Sequence, residues 1–234
     1  MKLQGSVVLV TGANRGLGLA FAQAALAAGA RKVYAAARDP ASVTLPGVVP
    51  IALDVTDASQ IAAAVQACGD LTLLINNAGI SRGASLLSSP SAVEDARAEF
   101  ETHFFAPWAL SAAFAPVLKA NGGGAIVNVL SALSWVSFPS VATYSASKSA
   151  AWSLSNGLRD ALREQGTQVT SLHVAFMDTD MTAAIAGDKA SPDAVAALTL
   201  AGVEEGQFEV LADAVTRQLK QSLSSDAPAY AGAR

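Results

Sequence analysis

Short apolar runs alternate along this chain with longer segments of helical character. A strand buried on both faces of a parallel sheet is typically a continuous apolar run. Strands that alternate with helices are joined by right-handed crossovers, which place helices on both faces of one sheet. We therefore predict an α/β fold, a doubly wound domain with a parallel sheet of about seven strands. The predicted strands are residues 6–10, 31–37, 48–53, 71–75, 125–130, 168–174 and 208–211.

Length and composition limit the number of domains and the classes of partner. The 234 residues are 52% hydrophobic and 15% charged, which favours one packed domain over residues 1–234 with a loose tail at residues 224–234. The net charge is −4 and there is no basic block, so we expect neither nucleic acid nor a membrane as partner. Cys68 is the only cysteine, and no stretch has the pattern of a membrane span or a secretion signal. A cytoplasmic location is expected.

A glycine-rich turn follows the first predicted strand and opens a long alanine-rich helix. Residues 11–18 read TGANRGLG. The glycines at positions 12, 16 and 18 let the backbone turn tightly and approach a ligand, and the first amides of the helix favour a phosphate. The spacing differs from the G-x-G-x-x-G fingerprint of other dinucleotide folds. The turn predicts a pyrophosphate site.

A second group of polar residues predicts acid/base chemistry. Tyr144 and Lys148 lie four residues apart in a predicted helix, so the phenol and the ammonium share one face. The cation is expected to lower the pKa of the phenol toward the range useful for general acid/base catalysis. Ser131 follows the fifth strand, where its hydroxyl can bind the same substrate oxygen. Taken alone, Tyr-x-x-x-Lys is more typical of an exposed helix pair.

The glycine turn, residues 76–79 (NNAG) and the Ser131, Tyr144 and Lys148 set occur in one order along the chain. Together they resemble the short-chain dehydrogenase/reductase family of the classical type over residues 7–181. The resemblance implies a Rossmann-type domain, a nicotinamide cofactor and catalysis by these three residues, with Lys148 also holding the nicotinamide ribose. The cofactor contacts that it implies are Gly12, Asn14, Arg15, Gly16, Leu17, Gly18, Arg38, Asp54, Val55, Asn77, Ala78, Gly79, Tyr144, Lys148 and Thr179.

Arg38 indicates which nicotinamide cofactor the chain prefers. Proteins that bind NAD place an acid after the second strand to bind the ribose 2′-hydroxyl, whereas this chain has Arg38 there, followed by Asp39. Arg38 and Arg15 could both contact a 2′-phosphate. We therefore predict NADP(H). The alternative is that Arg38 is solvated and Asp39 binds the ribose.

His103 departs from the family pattern. The resemblance places it where a catalytic asparagine normally holds a water that links the lysine to solvent. A histidine can bind a water, but it titrates near neutral pH, so the expected rate has a step near pH 6 to 7 that His103→Asn removes. The alternative is a purely structural His103. A strand-end His173 is expected to be structural.

The residues that flank the catalytic set predict an apolar substrate pocket. None of them is basic, so a neutral aldehyde or ketone is favoured over an anionic substrate. The predicted pocket is Leu133, Trp135, Phe138, Phe176, Met177, Met181 and Ile185.

The sequence as a whole predicts NADPH-dependent reduction of a neutral carbonyl compound. Two alternatives remain open: alcohol oxidation by the same site, and a non-enzymatic NADP-binding regulator. Apolar residues spread over more than one stripe of the catalytic helix, which together with the resemblance predicts a homodimer or homotetramer.

Overall fold

The protein, as a computed structural model that describes residues 1–87 and 89–231, contains a seven-stranded parallel sheet. Its order is β3-β2-β1-β4-β5-β6-β7, as predicted for a doubly wound fold. The order reverses between β1 and β4, and in open α/β sheets ligands bind at such a point, beyond the carboxyl ends of the strands. The strands are β1 (Val7–Thr11), β2 (Lys32–Ala37), β3 (Val49–Ala52), β4 (Leu73–Asn76), β5 (Gly124–Val129), β6 (Thr167–His173) and β7 (Glu209–Leu211).

Helices cover both faces of the sheet. Helices α1 and α6 pack together on one face, and α2, α4 and α5 cover the other. The helices are α1 (Gly16–Ala27), α2 (Ala58–Ala67), α3 (Ala92–Phe100), α4 (Ala106–Ala120), α5 (Ala142–Ala161), α6 (Pro192–Glu204) and α7 (Ala214–Ser222).

Alternate residues of the central strands enter different cores. In β1, Val8 and Val10 pack with Phe21 of α1, whereas Val7 and Leu9 belong to the core on the opposite face. All five residues of β1 are buried. This double burial is the physical reason why the strands are continuous apolar runs. Cys68 is also buried in the second core.

The helical stretch over residues 92–120 is interrupted. A π-helical turn, Glu101–Phe105, separates α3 from α4 and contains the buried His103. Such single π-turns inside helices often occur at functional sites. Pro107 lies in the first turn of α4, where a missing N–H costs little, and Pro116 is tolerated inside α4.

Helix α5 ends at Ala161, and the chain turns toward β6 at Gly166, which has a φ of 74°. In the predicted tail, Ala229–Ala231 forms a 3₁₀ turn, and residues 232–234 lie outside the described part. Among the described residues, no helix has the length and apolar character needed to cross a bilayer.

Candidate functional site

The glycine turn between β1 and α1 requires glycine for two physical reasons. Gly12 and Gly16 have positive φ values of 65° and 53°, which side chains rarely allow. Gly18 has ordinary geometry but no room: a Cβ there would lie 2.0 Å from the carbonyl oxygen of Gly12. No side chains at these three glycines therefore cover the backbone of the turn at the amino end of α1.

The amino end of α1 is suited to an anion. Arg15, the N-cap residue, provides no side-chain cap, and the first turn contains no acidic residue. The first amides and the helix dipole therefore favour a pyrophosphate there. Thr179 lies beside this end, with Cγ2 3.4 Å from where a Cβ on Gly16 would stand. The backbone and the helix end thus fit the dinucleotide that the sequence predicts.

Asn77 braces the glycine turn. Its side-chain Nδ2 donates to the carbonyl oxygens of Thr11 (2.8 Å) and Gly12 (3.3 Å). The hydroxyl of Thr11 accepts from the backbone amides of Asn77 and Ala78. Residues 76–79 therefore hold the turn from the neighbouring strand, which agrees with the mixed structural role expected of this motif.

A cleft of about 430 Å³ lies beyond the ends of β2, β3 and β4. Arg38 and Asp54 line it, as expected for the adenosine end of the cofactor, and Val55 beside them is buried. Arg82 lines the same cleft and was not identified from the sequence. It lies in the loop three residues after the NNAG motif, and the fold brings it to the same cleft as Arg38.

Arg15 does not join Arg38 in this structure. Its guanidinium donates to Asp180 at 2.9 Å, and both side chains are exposed. The expectation that both arginines reach one 2′-phosphate is therefore not what the geometry shows. The alternative through Asp39 is also disfavoured, because the carboxylate of Asp39 already accepts from the Ala41 amide as a helix cap.

Ser131, Tyr144 and Lys148 lie together at the carboxyl end of β5. Ser131 is buried and caps a 3₁₀ turn, with its Oγ accepting from the amide of Leu133 at 3.1 Å. Tyr144 and Lys148 project from successive turns of α5, and the Nζ of Lys148 lies 5.6 Å from the centre of the phenol ring. The ammonium donates to the carbonyl oxygen of Val129 at 2.8 Å.

The pKa of Tyr144 differs in direction from the sequence prediction. Burial raises this pKa, the carboxylate of Glu99 raises it further, and the hydrogen bond with Ser131 acts against both. Burial also lowers the pKa of the Lys148 ammonium, to about 8. In this structure Tyr144 is therefore a protonated phenol at neutral pH, a group prepared to donate.

His103 is fully engaged by the protein. Its Nε2 accepts from the backbone amide of Ile80 at 3.1 Å, so its Nδ1 carries the proton and donates to the hydroxyl of Ser147 at 2.8 Å. Ser147 in turn donates to the carbonyl of Tyr144, and the imidazole packs edge-on against the phenol. Burial, and then the charge of Lys148, hold the pKa of His103 well below its usual range. The predicted step near pH 6 to 7 is thus disfavoured, and a positioning role is indicated.

We expect His103→Asn to act on stability and not on the pH profile of kcat. His103 takes up a proton near pH 6.5 in the unfolded chain but not in the folded protein. Its contribution to the free energy of unfolding is therefore complete above pH 6.5 and decreases as the pH drops below that value, by up to about 1.4 kcal/mol per pH unit. In urea titrations between pH 5 and 8, the free energy of unfolding of the variant should decrease less steeply with falling pH than that of the wild type. A step in wild-type kcat near pH 6.5 that the variant abolishes would contradict this.

Two buried residues near the site carry no motif: Glu99 was not identified from the sequence, and His173 was expected to be structural. Glu99 on α3 is fully buried, accepts from the amide of Arg82 at 2.8 Å and acts on the pKa of Tyr144. His173 at the end of β6 contacts the carbonyl oxygen of Ser131 through Nδ1 at 3.2 Å and stacks on Trp135. Each supports a catalytic residue, and His173 has the structural role that was expected.

The predicted apolar pocket divides into an exposed rim and a core residue. Trp135 is buried, with its ring 4.0 Å from that of His173, so it fills the core and does not face a substrate. Leu133 and Met177 are half-buried. The rim consists of four exposed side chains, Phe138, Phe176, Met181 and Ile185.

Comparisons with known proteins agree with this geometry. A model of the short chain dehydrogenase family matches residues 6–190. "Dehydrogenase/reductase SDR family member 7B" of Bos taurus is 32% identical over 199 residues, which cover 77% of this chain and 60% of that protein. The chain therefore spans less than two thirds of the length of this relative.

Two solved structures are also similar. A short chain dehydrogenase from Burkholderia cenocepacia in complex with NADP is 40% identical with a TM-score of 0.92, covering 97% of this chain and 95% of the other. A short chain dehydrogenase/reductase from Burkholderia phymatum in complex with NAD is 25% identical with a TM-score of 0.83, covering 95% of each chain. With the family match over residues 6–190, these findings show that the chain belongs to the short-chain dehydrogenase/reductase family of oxidoreductases, whose fold binds a nicotinamide cofactor.

Proposed function

We propose that this chain is an NADPH-dependent reductase of a neutral, apolar aldehyde or ketone. The observation that carries the proposal is the grouping of Tyr144 and Lys148 on successive turns of α5 with the buried Ser131, where the Nζ of Lys148 lies 5.6 Å from the centre of the phenol ring. A reduction begins with a proton donor beside the carbonyl oxygen, whereas an oxidation begins with a base. The raised pKa of Tyr144 favours the first of these.

The roles of the residues follow from their positions. A bound NADPH supplies the hydride for the carbonyl carbon. Tyr144 donates its proton to the carbonyl oxygen, and the hydroxyl of Ser131 orients the same oxygen. Lys148 contributes its positive charge beside the phenol, which stabilises the phenolate left after proton donation. The backbone amides at the start of α1 and the brace from Asn77 hold the pyrophosphate and its turn.

Arg38 supports NADPH as the cofactor. It lines the cleft with Arg82, whereas the Oδ1 of the neighbouring Asp39 accepts from the Ala41 amide as the cap of a 3₁₀ turn. The similar Burkholderia cenocepacia structure is a complex with NADP, which supports the same choice, although another similar structure is a complex with NAD.

The apolar rim supports a neutral substrate. Phe138, Phe176 and Met181, which flank the catalytic residues in the sequence, are each about half exposed. The basic side chain in this segment, Lys189, donates its ammonium to the carbonyl of Thr182 at 2.7 Å. An anionic substrate would therefore find no ready partner among the rim residues, and its burial would cost free energy.

A panel of substrates with each cofactor tests the proposal. Neutral aliphatic and aromatic aldehydes and ketones are offered with NADPH or NADH, and the corresponding alcohols with NADP⁺ or NAD⁺, while nicotinamide absorbance is followed. We expect turnover of the carbonyl compounds with NADPH, and slower turnover of matched keto acids. Faster alcohol oxidation at neutral pH, or binding of NADPH without turnover of any compound, would contradict the proposal.

We also propose that the chain forms a homodimer or homotetramer through the face of α4 and α5. Phe105 and Trp108 at the start of α4 are 46% and 49% exposed, which is a large apolar area for a solvent face. Sedimentation at micromolar concentration should give the mass of a dimer or tetramer, and Trp108→Glu should reduce it. Leu198→Glu on α6 is the matched control, since Leu198 is 45% exposed on the other face. A monomeric wild type would end this proposal.

A further inference from the structure

A small internal cavity lies between the ends of β4 and β5 and helix α5. The cavity has a volume of about 10 Å³. That is about the volume required by one water molecule, and a buried water also needs two to four polar partners. The polar side chains on the wall are Asn76, His103, Asn128 and Lys148. The cavity therefore has both the size and the chemistry of a site for a single water.

Hydrogen bonds determine which way the amide of Asn76 points. The hydroxyl of Ser155 donates to the carbonyl of Ala151 at 2.8 Å, so its oxygen accepts from the Nδ2 of Asn128 at 2.9 Å. The Oδ1 of Asn128 must then be the atom that accepts from the Nδ2 of Asn76, at 2.8 Å. The Oδ1 of Asn76, which can only accept, is the end of this chain of hydrogen bonds.

That oxygen is buried and has no hydrogen-bond partner among the described residues. Asn76 is 5% exposed, so bulk water does not solvate the amide. A buried acceptor without a donor costs about 1–3 kcal/mol, and native structures rarely leave one. The oxygen therefore requires a donor at the cavity.

Lys148 has hydrogen-bond donors that are not yet used, whereas both ring nitrogens of His103 are already bonded. The ammonium carries three N–H groups, of which one donates to the Val129 carbonyl. The two ring nitrogens of His103 are already bonded to Ile80 and Ser147. Of the two side chains, only Lys148 can donate into the cavity.

We propose that the cavity holds one water molecule that accepts a hydrogen bond from the Nζ of Lys148 and donates one to the Oδ1 of Asn76. Asn76 is then a positioning residue for the catalytic lysine, and the chain through Asn128 and Ser155 holds its amide in the necessary orientation. The benefit to catalysis rests on the function proposed above. The water site itself does not depend on that function.

The electrostatic surroundings make this water important for Lys148. The titratable groups that face the lysine are Tyr144 on its own helix, His103 from the π-turn and His173 from β6, and burial favours the neutral form of all three. The carboxylate of Glu99 acts on Tyr144. Because burial lowers the pKa of Lys148, a water dipole oriented by Asn76 adds to the Val129 carbonyl in stabilising the ammonium.

The test is the titration of Lys148 in the cofactor-free protein, followed by NMR of the ¹³C-labelled ε-carbon and assigned with Lys148→Met. Asn76→Leu fills the same volume without an acceptor, and we expect it to lower the pKa of Lys148 by about one pH unit, the effect of one lost charge-assisted hydrogen bond. Asn76→Asp keeps an acceptor and adds a negative charge, so it should raise this pKa.

Ser155→Ala is the matched control, because it removes the far end of the same hydrogen-bond chain and does not line the cavity. It should reduce stability and lower the pKa of Lys148 by clearly less than Asn76→Leu does, because the acceptor itself remains beside the cavity. A crystal structure of the wild type should show a water within hydrogen-bond distance of the Nζ and the Oδ1. A wild-type crystal structure without that water, or an equal pKa in Asn76→Leu, Asn76→Asp and Ser155→Ala, would overturn the proposal. Since the titration needs neither cofactor nor substrate, its failure is distinct from failure of the carbonyl panel.

Discussion

Tyr144→Phe is expected to reduce kcat by at least about 10³-fold while the affinity for NADPH changes little. The phenol is the proton donor at the carbonyl oxygen, and a positioned acid contributes roughly 10²–10⁴-fold to such reactions. The ring that packs against His103 remains in the variant, so the local structure should persist. The measurements are kcat from nicotinamide absorbance and the dissociation constant of NADPH from fluorescence titration.

Tyr34→Phe is the matched control for this experiment. Tyr34 is a buried tyrosine of β2 whose hydroxyl donates to Asp70 at 2.9 Å, at the end of the strand opposite the catalytic group. Its replacement removes the same atom from the protein, so it should cost stability and leave kcat unchanged. Substantial turnover by Tyr144→Phe, or an equal loss in both variants, would remove Tyr144 from its catalytic role.

Arg38→Asp is expected to weaken NADPH binding by at least about 100-fold and to affect NADH much less. The change removes a charge-assisted hydrogen bond worth about 1.5–3 kcal/mol and adds repulsion between a carboxylate and the 2′-phosphate. Because NADH lacks that phosphate, the ratio of the two dissociation constants isolates the effect. A wild-type protein that already prefers NADH would show that the argument from Arg38 is wrong.

The other arginines are useful controls for Arg38. Arg82 lines the same cleft, so Arg82→Gln should reduce NADPH affinity to a smaller extent. Arg15 forms an exposed ion pair with Asp180, and exposed pairs are worth about 0–1 kcal/mol. Arg15→Gln therefore separates two cases: a loss specific to NADPH indicates that Arg15 leaves Asp180 for the phosphate, and equal small effects on both cofactors indicate that it does not.

The sequence by itself determined the architecture and the position of the chemistry. The central strands are buried on both faces and are therefore continuous apolar runs, so a parallel sheet of about seven strands could be predicted from apolar runs that alternate with helices. The glycine turn was equally readable, because Gly12 and Gly16 adopt backbone angles that other residues avoid. Such features depend on local geometry, which neighbouring residues specify.

Only the tertiary structure decided what the polar residues of the site do. His103 is held by Ile80 and Ser147, Arg15 is paired with Asp180, and the amide of Asn76 is oriented through Asn128 and Ser155. The direction of the pKa of Tyr144 follows from burial and from Glu99 on another helix. Hydrogen bonds and desolvation depend on partners that packing brings from distant parts of the chain, and the spacing of residues along a sequence does not specify those partners.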